Sequence, residues 1–166
     1  DVESPDELRI DLDPMPGTGW AEVQETALEV RAVFDEMGMV AYPKTSGSKG
    51  MQLYARADAF TSAEQTSAYA KGLAQRLEGE HPDLVLHRMT KALRGGKVLV
   101  DWSQNSAAKT TISAYSLRAR DRPTVSTPLT WDEVESCTAA DDLVFTSDDV
   151  LARVEEHGDL FAPLLR

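Results

Sequence analysis

Two aspartates separated by one residue are the first side chains whose spacing could support chemistry. Asp11 and Asp13 lie in the alternating segment 9–13, which is typical of a β-strand that ends at Pro14. Because alternate side chains of a strand point to the same face, the Cα atoms of the two aspartates would lie about 6–7 Å apart. A divalent cation would relieve the repulsion of the two carboxylates, although an isolated pair of this kind is more often a solvated strand end.

Asp101 could supply a third carboxylate. It follows the apolar run 98–100, which predicts a buried strand. If that strand neighbours the strand of Asp11, three carboxylates converge, and Mg²⁺ and Mn²⁺ prefer such oxygen ligands. This is the ligand set of two-metal phosphoryl or nucleotidyl transfer. Taken alone, Asp101 is more often a polar residue at a strand end or a helix cap.

Residues 45–50 form a polar Gly/Ser turn with one lysine. Backbone N–H groups, hydroxyls and an ammonium group can together cradle phosphate. The turn lacks the P-loop spacing and leads into a strand instead of a helix, which argues against a P-loop NTPase. An ordinary hairpin turn is the simpler interpretation of these residues alone. Other polar side chains that could hold triphosphate or template phosphates are Ser103, Gln104, Asn105, Lys109, Arg118 and Arg120.

The distribution of charge along the chain bears on whether the chain could bind nucleic acid. A net charge of −11 argues against nucleic-acid binding by the chain as a whole. Residues 86–122, however, carry 8 basic and 2 acidic side chains, whereas residues 1–85 have a net charge of −9 and residues 123–166 of −8. The basic segment is either a solvated surface or a surface for phosphates.

The composition is that of a globular domain, with 42% apolar and 27% charged residues. No run of 18 apolar residues is present, so we expect no membrane span. The single Cys137 forms no internal disulfide, which favours a reducing, cytoplasmic compartment. The chain begins with Asp1 instead of Met, which suggests an excised domain or a fragment of a longer protein.

The periodicity of the apolar residues predicts one α+β domain, residues 1–166, with a mainly antiparallel sheet flanked by helices. No internal repeat or long linker divides the chain. The predicted helices cover 20–37 and 61–80, with a possible helical turn at 89–93 and two short helices that begin at Thr130 and Ser147. The predicted strands cover 9–13, 40–44, 51–55, 84–86, 97–102 and 114–118.

Six motifs in this order and with these gaps form a specific pattern that extends over nearly the whole chain. They are DLDP (11–14), KTSGSKG (44–50), VDWSQN (100–105), AKTT (108–111), YSLRAR (115–120) and PTVSTPLTWDEV (123–134). In these motifs the chain resembles the polymerase domain of bacterial DNA ligase D and its stand-alone relatives, within the archaeo-eukaryotic primase superfamily.

The resemblance implies a site for two Mn²⁺ or Mg²⁺ ions held by Asp11, Asp13 and Asp101, which would also be the catalytic residues. It implies that a second set of residues binds the nucleotide: Ser46, Gly47, Ser48, Lys49, Gln52, Gln104, Arg118 and Arg120. The implied activity is metal-dependent nucleotidyl transfer that adds nucleotides, often ribonucleotides, to DNA 3′ ends during end joining of double-strand breaks. The implied partners are NTP or dNTP, DNA ends, the end-binding protein Ku and a DNA ligase, close to the bacterial nucleoid.

The chain departs from the family pattern at two points. Gln52 stands where many relatives have His, and a neutral amide can donate to phosphate but carries no charge. Relatives also have a segment before the first aspartate motif that binds the DNA 5′-phosphate, so we expect this chain to bind DNA without preference for that phosphate. Two other functions fit the same carboxylates: a metal-dependent nuclease, and a non-catalytic module that binds nucleotides or DNA ends.

Overall fold

The structure is a computed structural model that describes residues 5–89 and 95–165. Alternating or continuous apolar runs form its strands, in line with the high β-propensity of Val, Ile and aromatic residues. The strands of the described part are β1 (Glu7–Pro14), β2 (Tyr42–Thr45), β3 (Met51–Arg56), β4 (Val85–Leu86), β5 (Val98–Asp101), β6 (Leu117–Arg118) and β7 (Thr124–Val125).

Four α-helices lie between or after these strands in the described part: α1 (Trp20–Glu36), α2 (Ala63–Glu80), α3 (Trp131–Ser136) and α4 (Ser147–His157). Short 3₁₀ turns cover Ser103–Asn105, Ala140–Leu143 and Ala162–Leu164. Within the described residues, no helix combines the length and the apolar character that a membrane crossing requires.

Strand β1 lies at the centre of a five-stranded sheet with the order β2-β3-β1-β5-β4. It pairs antiparallel with β3 on one side and with β5 on the other, and only the short β4 runs parallel to its neighbour β5. A separate two-stranded ribbon consists of β6 and β7. This architecture agrees with the α+β, mainly antiparallel prediction.

The core lies on one face of this sheet. Leu8, Ile10 and Leu12 alternate along β1 and are completely buried, because their side chains point towards the helices. Helix α1 contributes Val30 and Phe34 to the same apolar cluster, and α2 contributes Ala70, Ala74 and Leu77. Apolar residues at helical spacing on the helices therefore meet apolar residues at strand spacing on β1.

Several predicted boundaries differ from the structure by one or more residues, and three of these differences have a visible cause. Helix α2 is capped by Ser62, whose Oγ accepts from Gln65 N at 3.3 Å, instead of by Thr61. Helix α4 is capped in the same way by Thr146, one residue before the predicted Ser147. The strand predicted at 114–118 is reduced to Leu117–Arg118, because Tyr115 has a φ of +64° that extended backbone does not allow.

The predicted helical turn at 89–93 lies, apart from its first residue, outside the described residues.

Candidate functional site

The sheet face opposite the core carries the three predicted carboxylates. Asp11 on β1 stands directly opposite Asp101 on β5. Directly opposed residues of an antiparallel pair share a face, with Cβ atoms about 4.5–5.5 Å apart. Asp13 lies two residues further along β1, opposite Leu99, and therefore faces the same side. The structure thus brings the three aspartates to one patch of the sheet, as the sequence predicted.

Burial makes this patch electrostatically unfavourable. The pKa of Asp11 is raised to about 7, mainly because burial desolvates the carboxylate and next because Asp13 repels its charge. The pKa of Asp13 is also raised, first by burial and then by repulsion from Asp101. Nearby cations counteract these shifts only in part: Lys44 lowers the pKa of Asp11, and Arg118 lowers that of Asp13. A divalent cation would remove the repulsion that remains.

Two buried oxygen atoms at this patch have no hydrogen-bond partner within the described residues: Asp11 Oδ1 and Gln52 Oε1. Buried polar atoms of folded proteins almost always have a partner, so each exception needs an explanation. Gln52 lies opposite Asp11 on β3, and its Nε2 donates to Asp11 Oδ2 at 3.1 Å. A carboxylate oxygen beside an amide oxygen fits a hard cation such as Mg²⁺ or Mn²⁺.

Asp101 is oriented by the 3₁₀ turn that follows it. Its carboxylate accepts from Ser103 N at 2.8 Å and from Gln104 Nε2 at 3.2 Å. Gln104 is itself held by Thr111, whose hydroxyl donates to Gln104 Oε1 at 3.1 Å. Across residues 5–89 and 95–165, no three acidic, His or Cys side chains form a ready-made metal cage. The carboxylates must therefore turn towards one another to hold an ion jointly.

The polar turn lies at the Asp13 end of β1. Ser46 Oγ accepts from the backbone N–H groups of Ser48 and Gly50, both at 3.2 Å. Gly47 has a φ of +72°, which favours glycine. A Cβ on Gly50 would lie 2.6 Å from Leu12 O and 3.3 Å from Asp13 Oδ1. Glycine at position 50 therefore lets the turn approach the carboxylates closely.

The β6–β7 ribbon presents two arginines to this turn. Arg118 Nε donates to Ser46 O at 2.9 Å, and the Arg120 guanidinium donates to Ser48 Oγ. The Thr124 hydroxyl donates to Gly47 O at 2.6 Å and fixes the ribbon against the turn. The structure thus assembles turn and arginines although about 70 residues separate them. Lys49 extends from the same turn and is exposed.

Two predicted nucleotide contacts lie closer to the carboxylates than to this turn. Gln52 donates to Asp11, and Gln104 donates to Asp101. Both amides are therefore placed to orient the predicted metal ligands. Whether they also contact a nucleotide stays a prediction.

Lys44 is a buried residue at the site for which the sequence suggested no role. It is completely buried on β2, where its Nζ donates to Ile112 O at 3.0 Å and to Ser126 Oγ at 2.5 Å. Burial lowers its pKa to about 7. The only feature of the sequence that points to Lys44 is that it is the first residue of the motif 44–50. The segments that cover it come from about 70 and 80 residues further along the chain, so local periodicity gave no indication of its burial.

Asn105, which the sequence suggested only as a possible phosphate contact, binds the backbone of β1 instead. Its side chain accepts from Arg9 N at 2.8 Å and donates to Arg9 O at 2.7 Å. These two bonds continue the hydrogen bonding between β1 and β5 beyond the end of β5. Asn105 thereby fixes the turn that carries Gln104 to the carboxylate patch.

Comparison with known proteins places these features in one family. The family model "LigD, primase-polymerase domain" matches residues 1–161. A multifunctional non-homologous end joining protein LigD of Mycolicibacterium smegmatis is 50% identical over 154 residues, which are 93% of this chain and 20% of that protein. The bifunctional LigD of Bacillus subtilis is 34% identical over 164 residues, or 98% of this chain and 26% of that protein.

A solved structure described as the polymerase domain from Mycobacterium tuberculosis Ligase D in complex with DNA is also similar. It matches with a TM-score of 0.89 and 45% sequence identity, over 96% of this chain and 54% of that one. The chain spans about half of that polymerase domain and about a fifth of the mycobacterial LigD proteins.

These findings confirm the resemblance and the α+β fold that the sequence predicted. The relatives are named as non-homologous end joining proteins, and the family is one of metal-dependent polymerases of the primase type. The chain therefore belongs to the LigD primase-polymerase domain family.

Proposed function

We propose that this chain adds nucleotides to DNA 3′ ends, with Asp11, Asp13 and Asp101 holding two Mn²⁺ or Mg²⁺ ions. The observation that carries this proposal is the direct cross-strand pairing of Asp11 with Asp101 on the polar face of the sheet. The raised pKa of Asp11 and its partnerless Oδ1 support it, because both indicate a site that a cation would complete. Three partly buried carboxylates in one patch would only destabilise the fold if they had no such function.

Ions held by Asp11, Asp13 and Asp101 would activate the 3′-hydroxyl and stabilise the charge on the departing pyrophosphate. The chain's own residues orient the carboxylates and bind the phosphates. Gln52 and Gln104 hold Asp11 and Asp101 in place. The turn and the ribbon neutralise the β- and γ-phosphates through backbone N–H groups and cationic side chains. The residues in this second role are Ser46, Gly47, Ser48, Lys49, Arg118 and Arg120.

The substrates under this proposal are NTP or dNTP and the 3′ ends of broken DNA. The similar solved domain is described as bound to DNA, and the relatives are named as non-homologous end joining proteins, which supports the DNA ends. Ku and a DNA ligase are the proposed partners, and the nucleoid region of the bacterial cytoplasm is the proposed place of action. We further propose that residues 1–166 act as one catalytic core, since one apolar cluster extends from Leu8 to Leu143.

Titration calorimetry with Mn²⁺ and UTP, followed by primer extension, tests the proposal. Asp101→Asn keeps the shape of the side chain and the acceptor for Ser103 N but removes the charge. We expect it to abolish Mn²⁺-dependent UTP binding and extension. The matched control Asp83→Asn changes an exposed loop aspartate and should leave both unchanged. UTP binding without extension would indicate a binding module instead, and shortening of the DNA would indicate a nuclease.

Lys49→Ala tests the phosphate role of the turn. The lost interaction is mainly a charge-assisted contact, so we expect UTP affinity to fall roughly tenfold while uridine affinity stays the same. The control is Lys71→Ala, which removes an exposed lysine of α2 that lies over the Trp102 ring and not at the turn. Equal weakening of UTP and uridine binding would place Lys49 away from the phosphates.

A further inference from the structure

A buried lysine lies where the polar turn of residues 45–50 meets the segment that orients Asp101. Lys44 precedes the turn on β2 and is completely buried. A fully buried lysine is rare unless its ammonium group has partners, because desolvation of the charge is costly. Its Nζ donates to Ile112 O at 3.0 Å and to Ser126 Oγ at 2.5 Å. One side chain therefore connects three segments that are far apart in the sequence.

The bond to Ser126 fixes the start of the polar turn. The Ser126 hydroxyl makes a second bond, in which its Oγ donates to Thr45 O at 2.8 Å. Thr45 is also held by Thr127, whose backbone N–H donates to Thr45 Oγ1 at 2.9 Å. The backbone of Ser126 is anchored in turn, because Tyr115 N donates to Ser126 O at 2.7 Å. Lys44 thus belongs to a buried network that holds the turn against the segment that follows β7.

The bond to Ile112 leads towards the carboxylate patch. Thr111, the neighbour of Ile112 in sequence, donates its hydroxyl proton to Gln104 Oε1 at 3.1 Å. The amide nitrogen of Gln104 then donates to Asp101 Oδ2 at 3.2 Å. A short series of contacts therefore runs from Lys44 to one of the proposed metal ligands.

No second hydrogen bond joins residues 44–50 to residues 103–113 in the part of the chain that the structure describes. The first of these segments carries the polar turn, and the second carries the amide that orients Asp101. If the turn binds the β- and γ-phosphates, the separation of the two segments decides where the α-phosphate lies relative to the metal ligands. In such an arrangement a displacement of about 1 Å can lower the rate roughly a hundredfold.

We propose that Lys44 is a positioning residue for nucleotidyl transfer and that it sets the distance between the polar turn and Asp101. This inference rests on the proposed function, which assigns the triphosphate to the turn and the metal ions to the carboxylates. Because Lys44 is completely buried, it acts through Thr45 and Gln104. An ammonium group suits this role because it has three donors at the end of a long, flexible stem.

Lys44→Met tests the role in steady-state primer extension, because methionine has a similar length but no donor. We expect kcat to fall about tenfold and the KM for UTP to change less than about threefold, since the phosphate contacts remain while their alignment is lost. The matched control is Val30→Ala, which weakens the core on the other face of the sheet. It should leave both constants unchanged at a temperature at which the variant is folded.

A double-mutant cycle tests the path through Ile112. Thr111→Val removes the hydroxyl that holds Gln104 and keeps the shape of the side chain. If Lys44 acts through Thr111, the double variant should have nearly the same kcat as the weaker single variant, because both substitutions break one connection. Independent losses that multiply in the double variant would contradict this path, and an unchanged kcat in Lys44→Met would contradict the positioning role.

Amide hydrogen exchange of the free protein measures the same connection without substrate. Lys44→Met should increase exchange in residues 45–50 and also in residues 103–113, whereas Val30→Ala should not favour these two segments over the rest of the chain. An increase confined to the immediate neighbours of Lys44 would overturn the proposal.

This exchange measurement also separates the inference from the proposed function. Failure of the wild-type chain to bind UTP with Mn²⁺ would contradict the proposed function and, with it, a role of Lys44 in transfer. The exchange result would still decide whether Lys44 joins the two segments, since it requires neither nucleotide nor metal. Normal UTP binding together with unchanged exchange in Lys44→Met would instead contradict the role of Lys44 alone.

Discussion

The two faces of strand β1 have opposite polarity: one is apolar and the other is charged. Leu8, Ile10 and Leu12 are completely buried against the helices. The residues between them, from Glu7 to Asp13, are charged and lie on the other face. One strand of eight residues therefore contributes to the hydrophobic core with one set of side chains and to the candidate site with the other.

The faces also differ in what burial does to stability. Burial of the aliphatic side chains is favourable, at roughly 25 cal/mol per Å² of apolar surface. Burial of the carboxylates is unfavourable, as the raised pKa values of Asp11 and Asp13 indicate. Functional sites commonly reduce stability in this way, and a well-packed core compensates for it. Truncating a core side chain and neutralising a carboxylate should therefore change stability in opposite directions.

Ile10→Ala should give the largest effect. Ile10 is completely buried in the core cluster, so truncation removes buried methyl and methylene groups and leaves a cavity. We expect a loss of about 2–5 kcal/mol in the free energy of unfolding, measured by urea denaturation. Leu151→Ala on α4 removes a side chain that is 66% exposed and should cost less than about 1 kcal/mol. A similar cost at both positions would contradict the assignment of the core face.

Asp11→Asn, one residue further along β1, should instead stabilise the metal-free protein. The pKa of Asp11 rises from 3.8 to about 7, so the folded state binds more protons than the unfolded state between these values. Stability is therefore lost as pH rises through this window. Since each pKa unit corresponds to about 1.4 kcal/mol, the shift in the pKa of Asp11 limits the gain in the free energy of unfolding to roughly 4 kcal/mol.

Thermal unfolding at pH 5 and pH 8 without metal measures this gain. It should be larger at pH 8, where Asp11 is ionised, than at pH 5, where its carboxyl is largely protonated and resembles an amide. Asp83→Asn, on an exposed loop, should change stability by less than about 0.5 kcal/mol at either pH. Loss of stability in Asp11→Asn at pH 8 would mean that the hydrogen bond from Gln52 to the charged carboxylate outweighs the cost of its burial and repulsion.

The apolar face was predictable from the sequence because its signal is local. Apolar residues at helical spacing predicted α1 to within one residue of its end, and alternation predicted β1 and the hairpin of β2 and β3. The Thr130 capping box likewise predicted the start of α3, where Thr130 Oγ1 accepts from Glu133 N at 3.2 Å. These features depend on neighbours in sequence, which a single chain displays directly.

The polar face was predictable only in part because its contacts are distant in sequence. The aspartates could be identified from the sequence. Their proximity, however, depends on the pairing of β5 with β1, and no local sequence pattern predicts that pairing. The amide of Gln52 reaches Asp11 across 41 positions, and Asn105 reaches Arg9 across 96. The positive φ of Tyr115 gave no sequence signal either, since positive φ values favour Gly, Asn and Asp.

Gly50→Ala tests how closely the turn must approach the polar face. The added Cβ would lie 2.6 Å from the backbone oxygen of Leu12, which cannot move without disturbing β1. We expect a loss of about 1–3 kcal/mol in urea denaturation, as in other overpacked sites. Gly72→Ala within α2 meets no atom within 4 Å and should instead stabilise by about 1 kcal/mol. Equal effects at both positions would contradict the close approach.

Lys44→Met should have the smallest net effect, because two opposing contributions nearly cancel. The substitution leaves Ile112 O and Ser126 Oγ without their donor, and an unsatisfied buried acceptor costs about 1–3 kcal/mol. It also removes a buried charge, which is favourable. We expect a net loss of about 1–2 kcal/mol at pH 7, measured by urea denaturation. The control is Lys71→Met, at an exposed lysine of α2 whose ammonium group lies over the Trp102 ring.

The pH dependence of this loss distinguishes the two contributions. Because burial lowers the pKa of Lys44 from 10.5 to about 7, the folded state binds fewer protons than the unfolded state between these values. The contribution of Lys44 to the free energy of unfolding of the wild-type chain therefore becomes more favourable as the pH rises through that window. Below pH 7, the buried ammonium group is charged and its full cost is present. Lys44→Met should then be most destabilising near pH 9, where the neutral amine still makes its hydrogen bonds, and least destabilising near pH 6. A loss that is larger at pH 6 than at pH 9 would mean that Lys44 stabilises the polar face through its charge, as the counter-ion of Asp11, and not through its hydrogen bonds.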